Sequence, residues 1–156
     1  MSVQLRPMSA DELAGWLPLL RDRFAADLVR DYGMSSERAA TVAAADIERL
    51  LPGGRLPAEH ALFVIEADGE AVGDLWLAEG EDMSHPSLVV FDVDVDEAHR
   101  GRGYAKSAMA FAEDEARRRG IDRIALYVGG GDEPARRLYE SLGYEENAVA
   151  MSKVLP

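Results

Sequence analysis

A strand-forming segment that runs into two glycines and then a helix constrains the fold of this chain more than any other feature. Five of the nine residues at 87–95 are valine or phenylalanine, which favour extended backbone. Gly101 and Gly103 follow, and a helical pattern then continues to Gly120. This order predicts a right-handed unit in which the next strand, residues 123–128, lies parallel to the first.

The remaining elements are predicted from local signals. Ser9 and Glu12 form a capping-box pattern before a helix in which Pro18 predicts a kink or a break. Ser35 or Ser36 caps a second helix. The predicted helices besides the one after Gly103 are residues 11–32, a second reaching residue 51, and 133–142. The further strands are a short one near residues 3–7, then 61–67, 71–78 and part of 144–154. Residues 68–69 predict a hairpin turn, and residues 80–86 predict a polar loop.

The predicted order of elements is β-α-α-β-β-β-α-β-α-β, which places the chain in the α+β class with a mixed sheet. Its 156 residues suit one domain with a hydrophobic core, and no repeat or linker divides them. Residues 1–156 are therefore expected to form a single domain.

Composition excludes several classes of function. The chain has 17 basic and 29 acidic residues, a net charge of −12, so phosphate backbones and anionic lipids repel it, and no nucleic-acid or membrane partner is expected. It has no cysteine, and its three histidines lack metal-ligand spacing, so no metal is expected. No targeting segment or membrane span is visible, which predicts a cytoplasmic protein.

The two-glycine turn has the properties of an anion-binding site. Glycines let a ligand approach the main chain, and the first turn of a helix has N–H groups without intrahelical acceptors. Arg100, Arg102 and Lys106 add positive charge in a chain that is otherwise acidic. This contrast predicts a confined anion such as a phosphate. Taken alone, the turn also fits an ordinary connection between a strand and a helix.

Two motifs together resemble the GNAT superfamily of N-acetyltransferases. Arg100-x-x-Gly103-x-Ala105 after a valine-rich strand is similar to the acyl-CoA-binding signature of that family. Residues 138–144, Leu-Tyr-Glu-Ser-Leu-Gly-Tyr, are similar to the family's recurrent Leu-Tyr-x-x-x-Gly-Phe/Tyr ending. Both motifs occur in the family's order, and the order of elements matches over nearly the whole chain.

The resemblance implies the GNAT-like acyl-CoA N-acyltransferase fold. This fold is a mixed, mostly antiparallel twisted sheet with helices on both faces and a splayed pair of parallel strands that makes room for the cofactor. The resemblance also implies acetyl-CoA as co-substrate and an amine of a small molecule or peptide as acceptor. Homodimers are common in the family, so a homodimer is a further expectation.

The resemblance implies roles for individual residues as well. Backbone groups of Val93 and Val95 would bind the pantetheine arm, and a bulge in their strand would expose an amide to the thioester carbonyl. Tyr139 would protonate the departing thiolate, and its ordinary pKa of about 10 suits that role. A core aromatic is the alternative for Tyr139. The pyrophosphate would be held around the glycine turn by Arg100, Gly101, Arg102, Gly103, Tyr104, Ala105 and Lys106.

Asp132 departs from the family pattern. Many members have Asn at this position, seven residues before the tyrosine, where it contacts CoA. An ionised Asp only accepts hydrogen bonds, and Asp132 also suits the N-cap of the last helix, with Pro134 in its first turn. The sequence leaves both a cofactor contact and a cap open for Asp132.

The general base is predicted among the carboxylates of the central strands. Asp92 and Asp94 alternate with apolar residues such as Phe91, so both should project from one face of the strand. They are the leading candidates, and Asp74 and Glu66 are further ones. For each of them, pairing with a basic residue is the alternative.

Direct attack by the amine in a ternary complex is the predicted mechanism, because a chain without cysteine cannot form a cysteinyl intermediate. The first two helices and residues 80–86 are expected to form the acceptor side. Candidate lining residues are Trp16, Phe24, Tyr32 and Trp76, for which core packing is the alternative. The competing function is a non-catalytic acyl-CoA sensor or interaction module.

Overall fold

The structure, a computed structural model, describes residues 2–156 as a five-stranded sheet with four helices. The strands are β1 (Val3–Pro7), β2 (His60–Ala67), β3 (Glu70–Asp82), β4 (His85–Val95) and β5 (Ile124–Leu126). The helices are α1 (Ala10–Tyr32), α2 (Ser36–Leu50), α3 (Tyr104–Arg118) and α4 (Glu133–Ser141). None of these described helices is long and apolar enough to cross a membrane.

The strands lie in the order β1-β2-β3-β4-β5. Neighbouring strands are antiparallel except for the parallel pair β4 and β5, between which the chain passes through α3. This arrangement confirms the predicted mixed sheet and its parallel unit. The parallel pair lies at one edge of the sheet. Where β4 and β5 are not hydrogen-bonded to each other, the backbone of β4 is therefore left without a neighbouring strand on that side.

Side-chain caps begin α1 and α2 where the sequence predicts them. Ser9 accepts a hydrogen bond from the N–H of Glu12, whose carboxylate accepts one from the N–H of Ser9, so the capping box is confirmed. Ser35 caps α2 by accepting from the N–H of Arg38. Local sequence therefore sets where both helices start.

The break predicted as one alternative at Pro18 is wrong, since α1 is a single helix. Proline removes the hydrogen bond to the carbonyl four residues earlier, which here belongs to Ala14. Both residues lie on the exposed side of α1, so water can satisfy that carbonyl. Trp16 and Leu17 remain buried on the opposite side and hold the helix to the sheet.

Apolar side chains fill both faces of the sheet, which confirms the predicted helices on both faces. On one face α3 packs through Ala108, Met109 and Ala112, all fully buried. On the other face α1 and α2 pack around Trp16 and Trp76, whose rings meet edge to face at 5.8 Å. Both tryptophans are buried core residues, so they are not available to line the acceptor side.

The polar loop predicted at residues 80–86 is wrong. Strand β3 continues to Asp82 and β4 begins at His85, so only Met83 and Ser84 form the turn, with φ of 50° and 66°. Two successive left-handed residues make a tight hairpin turn that Asn and Gly usually mark, and neither is present here. This turn lies at the start of β4, about seven residues or ~23 Å along the strand from Asp92, and the expectation that residues 80–86 help to form the acceptor side stays a prediction.

The strand predicted within residues 144–154 is also wrong, because residues 142–156 contain no strand. Val149 and Met151 are 70% and 92% exposed, so no apolar burial offsets the entropy lost on ordering a strand. The start of this segment instead lines a cavity of about 580 Å³ beside β5, through Gly143, Tyr144 and Asn147.

Replacing Gly73 by Ala should destabilise the sheet, because a Cβ there would lie 2.2 Å from the main-chain oxygen of Asp94. Overpacking against the backbone of a central strand costs about 1–3 kcal/mol. Gly80→Ala in the same strand is the matched control, since its Cβ would make an ordinary 3.7 Å contact with Val89. Urea unfolding should show a lower midpoint for Gly73→Ala only, and equal midpoints would contradict this β3-β4 register.

Candidate active site

One extra residue in β4 changes the direction of its side chains. Trp76 of β3 pairs with Asp92 and the next residue, Leu77, pairs with Val90, so Phe91 is the extra residue of a β-bulge. Phe91 lies on the same face as Asp92 and stacks on Trp76 with ring centroids 4.8 Å apart. The bulge implied by the family resemblance is therefore present, but the predicted alternation of Asp92 with Phe91 is wrong.

Strands β4 and β5 separate just before this bulge. Their pairing ends with Val90 and Leu126, and β4 continues for five more residues. The N–H of Asp96 bonds to a carbonyl of β3 at 2.8 Å. Asp96 therefore directs its backbone groups to β3. Because the direction alternates from one strand residue to the next, Val95 and Val93 direct their backbone groups to the opposite edge of β4, which is open. The expected splayed pair is therefore present, and we call the space between its strands the β4-β5 gap.

Four of the predicted cofactor-binding residues place their side chains in the core. Val93, Val95, Tyr104 and Ala105 pack on the α3 side of the sheet, and Tyr104 is only 4% exposed. Their backbone groups are therefore better placed than their side chains to contact a ligand in the gap. This is the kind of contact that the resemblance implies for them.

The loop between β4 and α3 leaves its main chain accessible. Gly101 and Gly103 have φ of 76° and 82°, and a Cβ at either would meet no atom within 4 Å. Helix α3 has no side-chain cap and no acidic residue in its first turn. The other three helices are capped by Ser9, Ser35 and Asp132. The arrangement suits an external anion at the start of α3.

The basic side chains of this loop are of two kinds. The Nε of Arg100 donates to the carbonyl of Val95 at 3.0 Å, and its guanidinium lies 3.8 Å from Asp94, so Arg100 ties the loop to the end of β4. Arg102 and Lys106 are exposed, and they form no ion pair within residues 2–156. Their charges therefore remain available to a ligand beside α3.

Three carboxylates converge on Arg23 of α1, on the face of the sheet opposite α3. Its guanidinium lies 3.3 Å from Asp74, 2.9 Å from Asp92 and 2.5 Å from Asp94. The prediction that Asp92 and Asp94 share a face is confirmed, and Asp74 joins them. Glu66 lies outside this acid cluster, because it pairs with an arginine of β1 at 2.8 Å.

Sequence reasoning missed Arg23, which lies 69 residues before Asp92 in the chain. A signal was present, since Arg23 follows Leu20 by three residues and precedes Phe24 on the inward side of α1. A cation in that position has to meet an anion or lose its hydration. The carboxylates that it meets cannot be named from the helix alone.

Burial and crowding change the protonation of the acid cluster. Burial and the neighbouring Asp74 carboxylate raise the pKa of Asp92 well above its ordinary value, although Arg23 acts in the opposite direction. Burial also raises the pKa of Asp94, again against the effect of Arg23. A carboxylate with a raised pKa is a stronger base than an exposed one, so it is better suited to accept a proton from an amine.

Tyr139 of α4 is close enough to Asp92 of this cluster for the charge of Asp92 to affect its hydroxyl. Burial, followed by the charges of Asp92 and Asp132, raises its pKa to about 12, so its hydroxyl is protonated at neutral pH. Its ring meets that of Tyr144 edge to face at 5.9 Å, at the margin of the core under α3. The protonated hydroxyl of Tyr139 and the carboxylate of Asp92, whose pKa is raised, therefore lie near one another.

Asp132 caps α4, which confirms that alternative. Its carboxylate accepts from the N–H of Ala135 at 3.2 Å and lies 3.9 Å from Arg30 of α1. The glycines before it press closely on α1, since a Cβ at Gly129 would lie 1.8 Å from the carboxylate of Asp31. The contact between Asp132 and a cofactor stays a prediction.

Comparison with known proteins identifies the family. Residues 20–144 match the model of the Acetyltransferase (GNAT) family, a span that includes the β4-β5 gap, the glycine loop and Tyr139. The chain belongs to this family. It is 31% identical over 156 residues to YycN of Bacillus subtilis strain 168, described as an uncharacterized N-acetyltransferase, with 99% of this chain and 100% of YycN covered. The predicted family is confirmed, and the chain is an N-acetyltransferase.

Solved structures have the same fold. The crystal structure of YycN from Bacillus subtilis matches with a TM-score of 0.90 and 30% identity over 99% of both chains. AAC(6')-Iy, in complex with the bisubstrate analog CoA-S-monomethyl-acetylneamine, matches with a TM-score of 0.65 and 22% identity over 100% of this chain and 99% of that one. The mixed sheet with its open parallel pair is therefore the GNAT fold, as predicted.

Replacing Asp92 by Asn should stabilise the chain at neutral pH, because a pKa raised on folding means that the ionised form is less favourable in the folded state. Ionisation of such a group lowers the free energy of unfolding at a pH above its folded-state pKa. This loss of stability disappears as the pH falls to the pKa of an aspartate in the unfolded chain, about 3.9. The free energy of unfolding of Asp92→Asn should exceed that of the wild type at pH 7, and the difference should shrink towards pH 4.

Glu115→Gln is the control of opposite sign. Arg118 and Arg119 lower the pKa of Glu115, so its charge stabilises the folded chain and its removal should reduce stability at pH 7. Urea unfolding at both pH values measures the two variants. An Asp92→Asn variant less stable than the wild type at pH 7 would contradict the electrostatics described for the cluster.

Proposed function

We propose that the chain transfers the acetyl group of acetyl-CoA to a primary amine of a small molecule or peptide by direct attack in a ternary complex. The observation that carries this proposal is the β4-β5 gap, with the open glycine loop at its end and with Asp92 and Tyr139 near it. The CoA bisubstrate analog bound to the structurally similar AAC(6')-Iy supports acetyl-CoA as the co-substrate.

The glycine loop would hold the pyrophosphate of CoA. The N–H groups of Ala105 and Lys106 lie in the first turn of α3 and have no acceptor within the helix, and the helix dipole adds positive potential there. The space over Gly101 and Gly103 is open to a ligand. The exposed side chains of Arg102 and Lys106 would neutralise part of the negative charge.

The pantetheine arm would lie along β4 as an additional strand. Peptide-like groups commonly bind by adding to an exposed sheet edge, where main-chain hydrogen bonds give affinity. Val93 and Val95 direct their backbone groups to this edge, although Arg100 already occupies the carbonyl of Val95. Val93 is therefore the better placed partner for the amide groups of the arm.

Asp92, with Asp94 beside it, would accept the proton of the attacking amine directly or through water. As the amine nitrogen attacks the thioester carbonyl, the C–N bond forms, the C–S bond breaks and CoA leaves as a thiolate. Tyr139 would direct its hydroxyl hydrogen to the departing sulfur, which is protonated there or by solvent. The absence of cysteine is consistent with direct transfer to the amine.

The raised pKa of Tyr139 limits what its hydroxyl can do. With a pKa of about 12, the hydroxyl is a weaker acid than an ordinary thiol, whose pKa is about 8.5, and the two pKa values differ by about 3.5. Complete transfer of the proton to the thiolate is therefore uphill. We expect Tyr139 to act mainly as a hydrogen-bond donor that stabilises the charge developing on sulfur.

Incubation of the full chain with acetyl-CoA and a panel of primary amines should release free thiol when an accepted amine is present. Free thiol is followed by a colorimetric reagent, and the N-acetylated product is identified by mass spectrometry. Reactions without amine are the control for hydrolysis. Binding of CoA by calorimetry without thiol release from any amine would contradict the proposed catalysis.

Replacing Tyr139 by Phe should lower kcat by about 10²–10³-fold, the usual cost of removing one hydrogen-bond donor to a developing negative charge, and leave the Kd for CoA unchanged. Tyr144→Phe is the matched control, because that ring neighbours Tyr139 but its hydroxyl faces Glu113 at 3.5 Å. Steady-state kinetics and calorimetry measure both variants. A Tyr139→Phe variant as active as Tyr144→Phe would contradict the role proposed for Tyr139.

A further inference from the structure

Arg23 reaches from α1 to two strands of the sheet. One terminal nitrogen contacts Asp74 and Asp94, and the other contacts Asp74 and Asp92. Its Nε is buried and has no hydrogen-bond partner among the described residues. All hydrogen bonds of the guanidinium therefore run through its two terminal nitrogens to the carboxylates.

Asp92 is surrounded by other acidic groups and contacts one cation, Arg23. Asp74 faces it from β3, Asp94 lies beyond it on β4, and Tyr139 approaches from α4. Arg23 from α1 contacts all three carboxylates, whereas Arg100 reaches only Asp94, at 3.8 Å. Without Arg23, a half-buried Asp92 would face two other carboxylates and no contacting cation.

We propose that Arg23 is a positioning residue for acetyl transfer, whose guanidinium keeps the Asp92 carboxylate ionised and fixed beside Tyr139. The inference rests on the proposed function, because it takes Asp92 as the proton acceptor. An aspartate that holds its proton at neutral pH cannot accept one from an amine. Arg23 thus sets the pH range in which Asp92 can act, without contact with the substrate.

The planar guanidinium suits this position better than an ammonium would. Two terminal nitrogens in a fixed fork bridge three carboxylates at once, whereas a Lys ammonium supplies the same charge at one point. Arg23→Lys should therefore keep most of the electrostatic effect and lose part of the positioning. Arg23→Gln loses both, so the pair of variants separates charge from geometry.

The pH profile of kcat/KM tests the proposal. In Arg23→Gln the midpoint of the acidic limb should move up by about 1–3 pH units, the usual effect of removing a contacting cation from a carboxylate. In Arg23→Lys it should stay near the wild-type midpoint. Arg49→Gln, which removes an exposed arginine of α2, controls for the change in net charge. A loss of activity by the same factor at every pH would overturn the proposal.

Carbon-13 titration of the Asp92 carboxyl group, assigned with Asp92→Asn, gives a readout that needs no substrate. The midpoint for Asp92 should rise in Arg23→Gln and fall in Asp74→Asn, which removes the neighbouring like charge. An unchanged midpoint in Arg23→Gln would overturn the proposal. If Arg23→Gln does not fold, Arg23→Met, which also removes the charge but keeps an apolar stem beside the sheet, decides it by the same readout, while Asp74→Asn controls for the sign of the method. If the wild type binds CoA and acetylates no amine, the proposed function fails, and this titration alone decides the effect of Arg23 on Asp92.

Discussion

The bulge at Phe91 is the constraint on which the rest of the site depends. Strand side chains alternate between faces, so one extra residue reverses every later assignment. With it, Val93 and Val95 pack under α3, and Asp92 and Asp94 face α1. Without it, both aspartates would point into an apolar core that contains no cation, and the valines would face the helix that carries Arg23. The bulge also follows directly on the last residue pair between β4 and β5.

The parts of the fold that the sequence predicts are those with local causes. Ser9 and Glu12 cap a helix by themselves, and the turn at residues 68–69 needs only an aspartate and a glycine. The errors arise where a longer-range contact overrides a local signal. Burial of the opposite side of α1 keeps the helix continuous through Pro18, and the paired strands on both sides force Met83 and Ser84 into a tight turn that their residue types do not favour.

The same division applies to the site. The glycine loop and the shared face of Asp92 and Asp94 follow from residue types and spacing, and the role of Tyr139 came from a family motif. The contact of Arg23 with the aspartates could not be predicted, because α1 and β4 meet only in the folded chain. The clustering matters chemically, since burial and neighbouring carboxylates raise the pKa of Asp92, and the contact with Arg23 opposes that rise.

The central claim is that the main chain around residues 101–106 binds the diphosphate of CoA. Titration of the nitrogen-15-labelled chain with CoA, followed by amide NMR, tests it most directly, with pantetheine as the ligand that lacks the diphosphate. We expect the largest shifts with CoA at the amides of Gly101, Gly103, Ala105 and Lys106, and no such shifts with pantetheine. CoA binding that leaves these amides unchanged, or equal shifts with pantetheine, would contradict it.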